Sequence, residues 1–431
     1  MLGHERDVVQ EGASANRRLV LLRCGKLYDG VSPSVLERAT VLIQGTRILA
    51  VGPEADVKPP PGVEVDEWVF DPAFAVPGLI DAHTHVSLPA DGRAYEQMMS
   101  DSDELMALVG AANLDRHLRA GVTTIRDNGA RGQVGFALRE GQRRGYIRGP
   151  RALFAGRPIT CSGGHCHFMN AVADGPDAVR REVRTLVHEG ADFIKIMASG
   201  GGTAGTLPGC ASYTVEELRA AVEEAHSFGK LTAAHTRAKA GMVNAVLARV
   251  DLLEHAQFLD QDMVPRFDPK VAEKLLETGA FVGPTLQACT RHGAMIRLLE
   301  KEKCGRLSDQ EKRRKSEYQE RREMFLGLLG KLLNAGFGGR IVAGSDSGCG
   351  EITFGHLVYD LELMVAAGMT NMAALQAATS VAARAIGLGD LLGSLESGKE
   401  ADLLVVNGDP LISIADLNRV VAVIKGGVRV V

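Results

Sequence analysis

Eight short apolar runs, separated by helical patterns, restrict the fold of this chain more than any other feature. They are AVPGLIDAHTHV (75–86), VTTIRDNG (122–129), RALFAGRPIT (151–160), FIKIMAS (193–199), LTAAHT (231–236), LLEHAQFL (252–259), FVGPTLQ (281–287) and RIVAGSDSG (340–348). Apolar strands that alternate with amphipathic helices build a parallel sheet covered on both faces. The segment TVEELRAAVEEAHSFGK (214–230) shows the helical half of the rhythm. Thr214 stands where an N-cap is needed, Glu217 follows three residues later, and Gly229 lies near the end. Eight such units predict an α/β fold of the (β/α)8 TIM-barrel type over residues 75–390. The rhythm breaks at 291–338, a long charged helical insertion between the seventh and eighth runs, placed either to cap a mouth or to meet a second copy.

The two ends of the chain read differently. Residues 18–29, 39–52, 66–72, 401–406 and 420–431 are short β-type segments with glycine turns between them. They predict one small β-sandwich assembled from residues 18–74 and 391–431, preceded by a flexible N-terminus at 1–17. With 431 residues, 45% of them apolar, the chain can fill both units.

Composition narrows the partners. Aromatic residues make up 5%, Trp68 is the sole tryptophan, and the net charge is −4, so neither stacking platforms nor a nucleic-acid footprint is expected. The densest basic stretch, KRRKSEYQERRE (312–323), is interleaved with acids and reads as a solvated helix face. The first residues, MLGHERDVVQEGASANRR, lack the apolar core of a secretory signal, and no window is apolar enough to span a membrane. Seven scattered cysteines fit reduced thiols and a cytoplasmic location.

The polar residues on those apolar runs carry the chemistry. His83 and His85 stand at i and i+2, on one face of an extended strand, so both imidazoles can reach one metal. His235 ends the fifth run, His255 lies in the sixth and Asp346 ends the eighth. Lys195 sits between Ile194 and Ile196 in the fourth, where an unpaired ammonium costs several kcal/mol or loses its proton. A lone strand histidine is usually a core or surface residue. Four histidines and an aspartate at the same end of parallel strands, the end where barrel active sites are built, point to a divalent metal.

At these residues the chain resembles the amidohydrolase superfamily. PGLIDAHTHV (77–86) is similar to that family's first-strand signature, and GSLESGKEADLLVVNGDPL (393–411) to its return into the terminal sheet domain. GVTTIRDNG, SGGH (162–165), KIMASGG, AAHT, LEHAQFL, PTL and AGSD resemble phrases of the binuclear prolidase-like, Xaa-Pro dipeptidase and imidazolonepropionase-like branch, to which ochratoxin-hydrolysing amidohydrolases are close in type.

The resemblance implies a pair of divalent metal ions. Zinc is the expected metal, while manganese and cobalt also suit these ligands. It places His83, His85 and Asp346 on the more buried ion and His235 and His255 on the other. Lys195, carboxylated by CO2 to a carbamate, and a hydroxide bridge the two. Asp346 would orient that hydroxide, take its proton and pass it to the departing amine. His165 is implied near the substrate carbonyl.

Tyr213 and Arg237 follow metal-ligand strands and, with His356 just past the eighth, are candidates for substrate contact. Arg237 suits a carboxylate. His356 could equally cap a helix. Cys161, Cys166 and His167 crowd too closely with His165 for a tetrahedral structural zinc. Asp127 is expected to bond a loop or a histidine near the metals. His4, His117, His188, His226 and His292 read as surface residues.

The expected activity is hydrolysis of an amide in a small molecule with a free carboxylate: a dipeptide, an N-acyl amino acid or an ochratoxin-type amide. Neutral amides, carbamates, ureas and cyclic amides are the alternatives, and a metal-free scaffold protein is the non-enzyme reading. A symmetric homo-oligomer is expected from the resemblance.

Overall fold

A computed structural model describes residues 19–431. The expected flexible stretch 1–17 lies outside the described residues. Strands from both ends of the chain share one mixed sheet. It contains β1 (Leu19–Leu27), β2 (Leu36–Gln44), β3 (Arg47–Pro53), β4 (Val65–Val69), β5 (Phe74–Pro77), β13 (Leu403–Val406), β14 (Val420–Lys425) and β15 (Val428–Arg429). The order is β15-β14-β13-β5-β1-β2-β3, with β4 also paired to β1. The expected sandwich is therefore, in its hydrogen bonding, one branched sheet. It branches because β4 and β5 take successive stretches of β1, Leu19–Arg23 and Lys26–Leu27. Its main apolar cluster joins Val20, Leu22, Val41 and Ile43 to Leu403, Val405 and Ile424, which ties the two termini together.

Between them lie two parallel sheets. One holds β6 (Leu79–Thr84), β7 (Val122–Asp127) and β8 (Arg151–Phe154). The other holds β9 (Ile194–Met197), β10 (Thr232–His235), β11 (Leu252–Glu254) and β12 (Phe281–Gly283). Isolated parallel bridges link the rest: Ile159 to Ile196, Val282 to Ile341, and Thr84 to Ser347. Helices pack outside through a large cluster that includes Leu114, Leu118, Ile125 and Phe154. The helix Val215–Ser227 begins with the expected capping box of Thr214 and Glu217.

Three expected strands differ from the structure for local reasons. Run 75–86 divides at Gly78, whose N–H donates to Asp402 O at 2.9 Å and where an added Cβ would meet Thr123 Oγ1 at 2.3 Å. The chain passes there from the terminal sheet to β6. Run 252–259 is extended only as far as Glu254, because His255, Ala256 and Phe258 take left-handed φ values of 66°, 42° and 50°. Run 340–348 makes bridges rather than a regular strand. It lies against β6 because position 344 is glycine, and an added Cβ would sit 2.8 Å from His83 Cβ.

After a short helix Leu286–Cys289, the insertion 291–338 holds helices His292–Lys303 and Asp309–Asn334. Ser308 and Glu311 cap the last of these reciprocally, and Phe325, Leu326, Leu328, Leu329 and Leu332 bury its second half. Its first half is mostly exposed, as the interleaved charges of 312–323 require. Among the described residues no helix is long and apolar enough to cross a membrane.

Two tests follow from this packing. Replacing Gly344 with alanine overpacks the contact with His83. It is expected to cost about 1–3 kcal/mol in chemical denaturation and to reduce metal uptake measured by mass spectrometry. The second concerns Asp360, which is fully buried and accepts from Gln287 N at 3.0 Å, while its Oδ2 has no hydrogen-bond partner among the described residues. Burial pushes its carboxyl up to about 8, against about 3.9 in an unfolded chain. The folded state thus holds a proton that the unfolded state releases, and stability is lost as pH rises from the unfolded value through the folded one. Asp360→Asn removes this titration, so its thermal midpoint should gain on the parent steadily between pH 4.5 and 8.5. A constant gap across that range would contradict a buried neutral acid.

Candidate metal centre

β6 and its neighbours deliver His83 and His85. The register of β6 against β7 shifts between Asp81 and Thr84, an irregularity of the kind that re-aims side chains beside a site. Asp81 faces His117, with its Oδ2 2.9 Å from the ring Nε2. His83 and His85, by contrast, each place Nε2 3.5 Å from Asp346 Oδ1. Lys195 lies within β9, His235 ends β10 and His255 follows β11 directly. All six residues, together with His165 and Arg237, line one cavity of about 520 Å³.

The five imidazoles form a continuous chain. Ring centroids are 5.4 Å apart for His83–His85, 5.1 Å for His83–His255, 4.4 Å for His235–His255 and 4.6 Å for His165–His235. Burial drives all of them toward the neutral form that binds metals, and the Lys195 cation adds to the effect. His85 falls to about 4 and His165 to about 3, while His83, His235 and His255 lie well below the usual histidine range.

Hydrogen bonds select the tautomers. His85 Nδ1 lies 3.2 Å from Gly129 O and His235 Nε2 lies 3.2 Å from Gly200 O. A carbonyl only accepts, so those nitrogens carry the protons. Nε2 of His85 and Nδ1 of His235 are left with free lone pairs, the form in which an imidazole can bind a metal. His255 Nδ1 is held by Thr285 Oγ1 at 2.6 Å, and His165 Nδ1 by Thr203 Oγ1 at 2.8 Å.

Lys195 is 1% exposed, and among the described residues its Nζ has no hydrogen-bond partner. Burial lowers its pKa, and burial likewise raises that of Asp346. Both groups are thereby pushed toward the uncharged state. His255, Thr285 and Asp346 all sit at positive φ (66°, 44° and 59°), a backbone cost of the kind concentrated at functional sites.

The donor set fits a metal. The ligand atoms of His83, His255 and Asp346 lie within 4.8 Å of one another, and so do those of His85, Asp346 and Cys349. Asp346 is common to both groups, and its Oδ1 lies 3.5 Å from Nε2 of both His83 and His85.

Other expectations are redirected. Tyr213 is buried away from the cavity, its hydroxyl spent on Ala173 O at 2.7 Å. His356 also stays off the cavity wall. It flanks the helix Leu357–Ala366 and stacks on Tyr359 at 5.1 Å. His117 is not a surface residue. It is fully buried between Asp81 and Gly355 N, which donates to its Nδ1 at 2.8 Å. His292 is half-buried against Tyr359, whereas His188 and His226 are exposed and His4 lies outside the described residues. Asp127 binds a loop, accepting from Val86 N at 2.7 Å, and burial lifts its carboxyl to about 7. Cys161, Cys166 and His167 do not converge as a ligand group among the described residues.

The structure also adds residues that the sequence reading passed over. Glu254 is 1% exposed. It contacts His83 Nδ1 at 2.9 Å through Oε2 and the buried Arg126 at 2.5 Å through Oε1. The signal was present: both are charged residues inside apolar runs, in LLEH and TTIRD, as Lys195 is in FIKIM.

The donor set, its burial and the chain-wide match now agree. Residues 74–430 match the amidohydrolase family model. The chain belongs to the amidohydrolase family. It is accordingly a hydrolase acting on C–N bonds, and metal binding is general in this family. The ochratoxinase of Aspergillus niger is 28% identical over 92% of this chain and 83% of its own length. The crystal structure of that enzyme superimposes with a TM-score of 0.79 at 26% identity, covering 96% of this chain and 95% of that one. A Xaa-Pro dipeptidase crystallised with methionine in its active site matches equally well. Its TM-score is 0.79 at 29% identity, over 95% of this amidohydrolase and 99% of the dipeptidase.

The buried ion pair offers a stability test. Glu254→Ala leaves the Arg126 guanidinium buried and unpaired and should cost about 3–5 kcal/mol in urea unfolding. Replacing both residues with apolar side chains should recover much of that loss. A double variant no more stable than the single one would contradict the pairing argument.

Proposed function

We propose that this chain is a binuclear amidohydrolase that cleaves the amide bond of a dipeptide, N-acyl amino acid or ochratoxin-type amide bearing a free carboxylate. The parallel strands and the isolated bridges from Ile159 to Ile196, Val282 to Ile341 and Thr84 to Ser347 are read as one closed (β/α)8 barrel, with the terminal strands as a separate domain. The observation that carries the reading is Lys195, a buried amine without a hydrogen-bond partner, ringed by neutral imidazoles and Asp346.

His83, His85 and Asp346 would hold one ion and His235 and His255 the other, with Lys195 between them. A neutral amine is the form that adds CO2, and the resulting carbamate brings the negative charge that two cations need. Zinc suits these ligands best. When bound, the metals supply an acidified water and polarise the scissile carbonyl.

The protein does the rest. Asp346, held at φ 59° with its backbone N–H on His83 O at 2.8 Å, accepts the proton of the attacking water and returns it to the departing nitrogen. His165, fixed by Thr203, stands beside His235 to donate to the carbonyl oxygen. Arg237 offers its guanidinium to the substrate carboxylate. Its Nε is anchored on Gln257 Oε1 at 2.8 Å and its backbone N–H on Ser199 Oγ at 2.9 Å. The A. niger ochratoxinase and the Xaa-Pro dipeptidase, by their names, cleave substrates of this kind.

Zinc-loaded protein expressed with bicarbonate should hold two metals per chain. It should release amine from dipeptides and N-acyl amino acids but not from their C-terminal amides. Asp346→Asn should lower kcat by about 10²- to 10⁴-fold, and Lys195→Ala should lower the metal content measured by mass spectrometry. Turnover confined to neutral amides, ureas or carbamates would overturn the carboxylate reading.

A further inference from the structure

The cavity wall carries more positive charge than one carboxylate requires. Arg321, on the insertion helix Asp309–Asn334, lines the cavity, and Tyr318 does so one turn earlier on the same helix. Arg291, at the junction between helices Leu286–Cys289 and His292–Lys303, lines it as well. Two other charged residues of the wall are neutralised locally. Arg93 pairs with Asp91 at 2.7 Å and Asp101 at 2.8 Å, and Glu351 pairs with Arg297 at 2.8 Å. Among the described residues no carboxylate pairs with Arg321 or Arg291.

Arg321 is positioned rather than loose. Its Nε donates to Cys289 O, and its guanidinium lies over the Phe325 ring, 4.8 Å from the centroid. Burial holds its pKa below the usual arginine range, and the nearby Arg291 charge acts in the same direction. Two cations that repel each other on one cavity wall are stabilised by an anion between them.

Arg321 is also connected to Arg237. Gln257 accepts from Arg237 Nε and donates to Cys289 Sγ at 2.9 Å, while the carbonyl of Cys289 receives Arg321. The two guanidiniums therefore flank one Gln257–Cys289 bridge, and both residues line the same cavity.

We propose that Arg321 and Arg291 form a second anion subsite beside Arg237, so that the preferred leaving group is a dicarboxylic amino acid, as in an N-acyl glutamate or aspartate or a dipeptide ending in either. This rests on the reading that Arg237 receives the substrate's α-carboxylate. The planar guanidinium of Arg321, braced through Nε, is suited to grip the side-chain carboxylate through its remaining nitrogens. The insertion is thereby a specificity element of the cavity wall.

The test is steady-state kinetics of the zinc-loaded, full-length protein on matched pairs: N-acyl-glutamate against N-acyl-glutamine, and each against its C-terminal amide. The glutamate substrate should win in kcat/KM by about 10- to 100-fold, the worth of one charge-assisted hydrogen bond. Arg321→Met and Arg291→Met should each shrink that ratio through KM, leaving the glutamine substrate close to its parent values. Arg321→Lys should restore part of the preference. Because Arg291 is exposed, its variant tests the subsite even if Arg321→Met folds poorly. Glutarate should inhibit the parent more strongly than butyrate, and the Arg291 variant should lose this difference. Equal turnover of glutamate and glutamine substrates, or equal losses on both in the variants, would overturn the subsite while leaving the carboxylate reading intact. Turnover of the C-terminal amides alone would remove both.

Discussion

The centre of this molecule depends on keeping charge out of water without leaving it isolated. Lys195, Arg126, Glu254 and Asp346 are buried together with five imidazoles. An isolated ion there would cost several kcal/mol, so each must neutralise, pair or bind a counter-ion. Arg126 and Glu254 solve the problem by pairing, and Glu254 extends its other oxygen to His83. Among the described residues Lys195 Nζ has no hydrogen-bond partner, and burial pushes it toward the neutral amine. The surroundings are thus poised for a cation, with neutral imidazoles turned by their hydrogen bonds to present lone pairs.

A second buried network holds the strand ends in place. Asp81 accepts from Ser345 N at 3.0 Å and from Ser345 Oγ at 2.5 Å, and it also meets His117 at 2.9 Å. It therefore ties β6, the helix Asp103–Arg119 and the segment carrying Asp346 into one unit. That restraint matters because Asp346, His255 and Thr285 occupy left-handed backbone conformations that an isolated peptide would leave. The surrounding packing sustains the strain, and the strain in turn aims the His255 and Asp346 side chains into the cavity, where an ordinary strand would point them elsewhere.

Around this rigid floor, the cavity wall comes from loops and from the helical insertion. Chemistry on strand ends with selectivity in attached segments is a common division of labour in α/β enzymes. Here the wall is basic where Arg237, Arg291 and Arg321 approach it. It is apolar elsewhere, where Leu88, Met98, Met169 and Ile352 line it.

Much of this was legible from the chain alone. The strand and helix rhythm, the cap at Thr214, and the polar residues His83, His85, Lys195, His235, His255 and Asp346 within apolar runs depend on local periodicity and residue type, which a linear sequence carries directly. Other features rest on partners far apart in sequence. Arg126 meets Glu254 across 128 positions and Asp81 meets Ser345 across 264, and nothing in either neighbourhood announces the match. His117 has the helical surroundings of a surface residue and becomes buried only because Asp81 arrives from another element. Tyr213 follows the strand that carries Lys195, yet its hydroxyl is claimed by Ala173 O. The sequence by itself determined which chemical groups stand at the ends of the strands. The tertiary structure alone decided which of them face one another, because burial, charge pairing and left-handed backbone turns arise only when distant segments close on the same space.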